Sequence, residues 1–302
     1  MNPNNNSLLS AYLKARKKII DEALERYLSG EDNYPPVIFK AVRYSVFAGG
    51  KRIRPILCMA SAEAVGGNVE SILPVACSLE LIHTYSLIHD DLPAIDDDDY
   101  RRGRLTSHKV FGEDIAILAG DALLTEAFRL MSERTLMDKI PPEKLLAVIH
   151  DVAEAAGYFG MVGGQVVDVQ SEGKDVDSEV LNYIHTRKTG AMITVAVKAG
   201  ALLSNAGEVE INALISYGRH VGLAFQIADD ILNVEGDKVL LGKGTGSDAK
   251  RGKVTYPALM GLDASRKKAA DLVESALSAI KNFDHRAEPL RMIAGYIVER
   301  RA

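Results

Sequence analysis

Apolar residues recur at helical spacing along almost the whole chain, and no convincing strand pattern interrupts them. Residues 8–28 carry Leu8, Leu9, Tyr12, Leu13, Ile19, Ile20, Ala23, Leu24 and Leu28, close to an i, i+3, i+4, i+7 stripe with charges opposite. Gly49-Gly50 ends a helix from about Pro36, and Gly66-Gly67 ends one from about Arg54. The pattern predicts a long helix over 69–92, and others over about 113–134, 142–172, 177–204, 207–235, 263–282 and 288–300. The alternating QVVDVQ at 165–170 is too short and isolated to build a sheet. No Pro/Ser-rich linker, charge block or repeat divides residues 1–302, so one all-α domain of about ten helices is expected.

Composition narrows the function classes. At 302 residues and 47% hydrophobic content the chain can bury a large core, and a net charge of −5 argues against nucleic acid as a partner. Cys58 and Cys77 lack metal-site spacing and read as buried, reduced thiols of a cytoplasmic protein. The N-terminus has no signal-peptide apolar region, and no run reaches the ~18–20 apolar residues of a membrane span. A soluble protein is expected.

The chemistry is concentrated in acidic segments. Residues 90–99 hold six Asp, followed by three Arg among residues 101–104, and FQIADDILN at 225–233 supplies a second Asp pair. Pro93 interrupts the first helix, so Asp96 can fold back toward Asp90. Asp229 and Asn233 are four apart and share a helix face. Two such helix ends facing one another make a carboxylate-ringed mouth above an apolar shaft. Like-charge repulsion there is relieved by divalent cations, and oxygen-only ligands beside a phosphate substrate point to Mg²⁺. An Asp run can also be a solvated helix end. Acid at a helix C-terminus opposes the macrodipole, however, and this acid recurs in a second apolar helix, so function is the better account.

Basic groups complete the set. Lys51, Arg52 and Arg54 follow a Gly-Gly stop and are expected to converge on an anion. Lys188 and Thr189 lie in RKTG, and Lys243 and Lys253 in the Gly-rich LGKGTGSDAKRGK. The nucleotide P-loop spacing is absent. Carboxylates hold metals, metals hold a diphosphate, and Arg and Lys hold the remaining oxygens, so a metal-dependent enzyme on diphosphate esters is expected.

GGKRIRP, LIHDDLPAIDDDDYRRG, GGQVVDV, RKTG, FQIADDILN and LGK…K stand in an order that resembles the short-chain trans-isoprenyl diphosphate synthases, across roughly residues 45–255. The resemblance implies a helical bundle around a central cavity, a homodimer, and three Mg²⁺. It implies head-to-tail joining of an allylic diphosphate to isopentenyl diphosphate. Position by position, it assigns Asp90 and Asp96 to two Mg²⁺ and Asp229 to the third. Arg101, Lys188, Lys243 and Lys253 then hold the allylic diphosphate. Lys51, Arg54, His83 and Arg102 hold isopentenyl diphosphate. Gln165, Asp168 and Gln226 line the cavity near the reacting carbons, and Thr189 steadies the developing cation. His89, beside the first Asp, reads as a group that packs the helix or supports the metal ligands from behind. A terpene cyclase would not need the second diphosphate site, and a non-catalytic partner subunit would not keep both Asp motifs.

Chain length is read from the residues before Asp90. Tyr85 lies five positions back, roughly 7–8 Å along the helix axis, where a ring blocks a growing chain. Ser86 is small and Leu81 is a softer stop. With Pro93-Ala94 this is the pattern of bacterial-type farnesyl synthases, so a C15 product is expected over C20. Asn233 departs from the family's third Asp and brings no charge, which predicts weaker binding of the third metal.

Overall fold

The computed structural model describes residues 3–28, 30–235 and 254–299, so Lys243 and Lys253 lie outside the described residues. The chain opens with α1 (Pro3–Tyr27), α2 (Pro36–Val46), α3 (Ile53–Ala64) and α4 (Val69–Asp90). A two-residue hairpin follows, β1 (Tyr100–Arg101) with β2 (Arg104–Leu105). Next come α5 (Ser107–Phe111), α6 (Glu113–Met131), α7 (Arg134–Met137), α8 (Pro142–Ala156), α9 (Met161–Ser171) and α10 (Ser178–Ile184). A π-helix over His185–Gly190 runs into α11 (Ala191–Leu203), then α12 (Glu208–Glu235). The described chain closes with α13 (Tyr256–Met260), α14 (Leu262–Ala279), a 3₁₀ turn and α15 (Glu288–Glu299).

The all-α expectation holds. Helices apolar on every side lie inside: α3 is buried along Pro55–Ala62, α4 from Ile72 to Ile82, and α11 at most positions. Packing is most extensive between α4 and α6, α12 and α14, and α11 with α3 and α12. One apolar cluster links α1, α3, α4, α6, α8, α11, α12 and α15.

Three local features differ from the sequence reading. The helix expected over 142–172 breaks at Gly157–Gly160 into α8 and α9, and that expected over 177–204 contains the π-turn. The third is the hairpin itself. Arg102 (φ 54) and Gly103 (φ 75) form its two-residue turn, both left-handed, the geometry that matches strand twist. An Arg where Asn or Asp is usual hid the signal.

Two helical stretches, Val69–Asp90 and Pro142–Ser171, are long and apolar enough to cross a membrane by length and composition. The window in the first is 78% buried inside the fold, as a core helix is. The second contains the Gly157–Gly160 break.

Candidate active site

A cavity of about 560 Å³ opens between α4, α9 and the π-helix. His83, Tyr85, Ser86 and Asp90 reach it from α4, and Arg54 from α3. From α9 come Gln165 and an i, i+4, i+7 row of Val162, Val166 and Val169; the π-helix adds Lys188 and Thr189. Gly164 makes the close approach of α9 possible, since a Cβ there would sit 2.3 Å from the Lys188 backbone nitrogen. Both amide atoms of Gln165 are shielded from water without a hydrogen-bond partner, so this side chain is poised toward a polar ligand.

At the mouth, the acidic segment folds back as its proline predicted. The Asp96 amide donates to the Asp90 carbonyl at 2.8 Å and the Asp98 amide to that of Asp91 at 3.2 Å, with Asp97 left-handed at φ 48. Asp90 and Asp96 therefore share one turn. Asp91 faces inward, buried, and accepts a fork from Arg101 Nε (2.7 Å) and Nη2 (2.5 Å). Burial alone disfavours the Arg101 charge; the bonds to Asp91 more than offset this and raise its pKa.

Arg102 donates to the Gly49 carbonyl and lies against Gly50, whose φ is 128 and whose place a Cβ could not take without meeting the guanidinium at 2.7 Å. Arg52 corrects the expectation that three KRIR cations converge. It is 2% exposed and turned into the core, on Glu80 (2.8 Å), Asp21 (2.9 Å) and the Val46 carbonyl. Lys51 is exposed, and Arg54 is pushed below its ordinary pKa by burial. His83 is held well below the ordinary imidazole range, first by desolvation and then by Arg54 and Arg102. Its ring is therefore neutral among guanidiniums.

Across the cavity, Lys188 donates to Asp168 at 2.8 Å. On α12, Gln226 lies 3.5 Å from Asp229, and Asp229 is near enough to act on the charge of Arg54. Asp230 points the other way. It is buried, pairs with His185 Nε2 at 3.0 Å and accepts from the Tyr256 amide at 2.9 Å. The sequence pairing of Asp229 with Asp230 gave no hint of this role, and nor did the lone His185.

Tyr85, 7% exposed, lines the cavity with Ser86 and meets His89 edge-on at 5.7 Å. His89 also bonds the Ile117 carbonyl at 3.0 Å, a packing role. Leu81 is fully buried in the core one turn further along α4.

The donor set fits a hard cation: two carboxylates on one turn, a third on α12, and oxygen ligands only. Among the described residues the tightest ligand-type group is elsewhere, His150, Asp151 and Glu154 on α8. Its Asp151 is already paired with Lys198 at 2.7 Å.

Comparison with known proteins agrees with the all-α fold. The polyprenyl synthetase family model matches residues 35–291. A geranylgeranyl diphosphate synthase of Cyanophora paradoxa is 49% identical over 97% of this chain and 96% of its own length. A farnesyl diphosphate synthase of Geobacillus stearothermophilus is 46% identical over 96% of this chain and 97% of its own. The crystal structure of a geranylgeranyl pyrophosphate synthetase from Pyrococcus horikoshii superposes with a TM-score of 0.88 at 33% identity, covering 98% of this chain and 99% of that one. The chain belongs to the polyprenyl synthetase family and is a prenyltransferase.

Proposed function

We propose that the enzyme condenses dimethylallyl and geranyl diphosphate head-to-tail with isopentenyl diphosphate and releases farnesyl diphosphate. The observation that carries the C15 reading is Tyr85, whose ring lines the cavity one to two turns below Asp90. In this reading residues 1–302 act as one catalytic domain in a cytoplasmic homodimer. Exposed Leu118, Leu146 and Tyr158 on and beside α6 and α8 suit a protein interface, and two buried thiols suit a reducing compartment.

Asp90, Asp96 and Asp229 are the residues that would hold three Mg²⁺. Bound there, the metal supplies charge neutralisation to the departing diphosphate. Arg101, pre-oriented by Asp91, and Lys188, pre-oriented by Asp168, hold the allylic diphosphate, joined by Lys243 and Lys253 from beyond the described residues. Lys51, Arg54, Arg102 and neutral His83 hold isopentenyl diphosphate. Thr189 and Gln165 present polar atoms to the cavity, with Gln226 beside Asp229 on α12, and Val162, Val166 and Val169 give the cavity an apolar wall beside the allylic chain.

A C20 product is the second reading, favoured by the small Ser86 beside the single ring. Tyr85→Ala distinguishes them. Products from geranyl diphosphate are dephosphorylated and sized, and C15 from the parent with C20 or longer from the variant is expected. A parent that already accumulates C20 would overturn the Tyr85 stop.

A further inference from the structure

The π-helix is a wall with two sides. Lys188 and Thr189 face the catalytic cavity, while Thr186, Arg187 and Gly190 line another cavity, also of about 560 Å³. That volume lies within the range of small-molecule sites.

Helical spacing builds this second cavity. Ile215, Arg219 and Leu223 recur every four residues on one face of α12, and Ala191, Val195 and Lys198 present one face of α11. Its apolar lining includes buried Val195, half-buried Leu223 and exposed Phe159, and its charged lining Asp151, Glu154, Arg187, Lys198 and Arg219. Lys198 and Asp151 neutralise one another at 2.7 Å. Arg187 and Arg219 have no carboxylate partner among the described residues; Arg187 gives one bond to the Phe159 carbonyl at 3.1 Å. His220 Nδ1, on the same wall, is shielded from water and bonded to nothing. Of the two lining carboxylates, Asp151 and Glu154, both on α8, Glu154 has no cation partner among the described residues.

We propose that this cavity binds a compact organic anion, its acidic head on Arg187 and Arg219 and its apolar body against Phe159, Val195 and Leu223. Guanidinium forks suit carboxylate and phosphate alike, and the apolar part of the lining favours an organic anion over a bare ion. The head also meets the residue next to Lys188. An occupant that draws Arg187 from the Phe159 carbonyl acts on the turn that carries Lys188 to Asp168. This second effect rests on the proposed prenyl transfer; the binding itself does not.

The test uses the full chain with Mg²⁺ and saturating inorganic diphosphate, which fills the catalytic cations. Phenyl phosphate, benzoate and uncharged benzyl alcohol are titrated by calorimetry. One saturable site per chain for phenyl phosphate or benzoate is expected, and none for benzyl alcohol; the tighter of the two acids identifies the head. Arg219→Gln and Arg187→Gln should each weaken binding about tenfold, the loss of about 1.4 kcal/mol. Arg219→Gln should leave turnover without the probe unchanged. No saturable site for either acid, or binding indifferent to both substitutions, overturns the proposal.

Discussion

The two Asp pairs, Asp90-Asp91 and Asp229-Asp230, are the same dipeptide at the ends of two apolar helices, and in both the two carboxylates part company. Adjacent helical residues lie about 100° apart, so they cannot face one mouth together. In each pair the first Asp is partly exposed and the second is buried as an anchor. The anchors differ. Asp91 holds Arg101, itself a cation of the mouth, whereas Asp230 holds His185, which opens the π-helix, and the Tyr256 amide, where the described chain resumes. The anchor of the first pair holds Arg101 directly, and that of the second holds the turn that carries Lys188 and Thr189. At each occurrence the two carboxylates thus sit in different environments, one partly exposed and one buried.

The largest expected effect breaks the outward members. Asp90→Asn should lower kcat about a thousandfold, as several kcal/mol of transition-state charge stabilisation is removed, with thermal stability kept or raised. Steady-state rates beside a melting curve check both halves.

Asp230→Ala comes next. It leaves the Tyr256 amide and His185 without their shared acceptor, which should cost about 1–3 kcal/mol of stability. The KM for the allylic diphosphate should rise while the Mg²⁺ dependence stays that of the parent. Asp229→Asn should do the reverse, shifting the Mg²⁺ titration and sparing stability. If both variants shift the Mg²⁺ titration alike, the division of labour at 229–230 is wrong.

A smaller effect belongs to the basic side of the mouth. Because His83 titrates below its unfolded value of about 6.5, the unfolded chain binds the extra proton, so stability is full above that pH and falls below it. His83→Gln should flatten this acid limb, by up to about 1.4 kcal/mol per pH unit, in denaturant melts at pH 5 and 7.5. The smallest expected change is Asn233→Asp, which restores a carboxylate one turn from Asp229. It should lower the Mg²⁺ concentration needed for half-maximal rate by roughly two- to tenfold, on the order of 1 kcal/mol.

Much of this was legible because helices announce themselves by period. The apolar runs of α3, α4 and α11 marked the core, and Pro93 marked the turn that returns Asp96 to Asp90. What stayed hidden depends on where a side chain turns. Arg52, Arg54 and Lys51 are equivalent cations in sequence, but the left-handed backbone at Arg52 (φ 54) sends it to Glu80. The π-turn has no pattern of its own in the sequence; it packs against Gly164, and its first residue, His185, is held by Asp230. Lys243 and Lys253 stand outside the described residues, so their part in the site rests on sequence alone.

The most direct test of the account is incorporation of labelled isopentenyl diphosphate by the purified enzyme with Mg²⁺ and C5, C10 or C15 allylic diphosphates. The account predicts Mg²⁺-dependent growth of the C5 and C10 starters to C15, with little use of the C15 starter. No incorporation from any starter, with diphosphate or a cyclic hydrocarbon released instead, would contradict it.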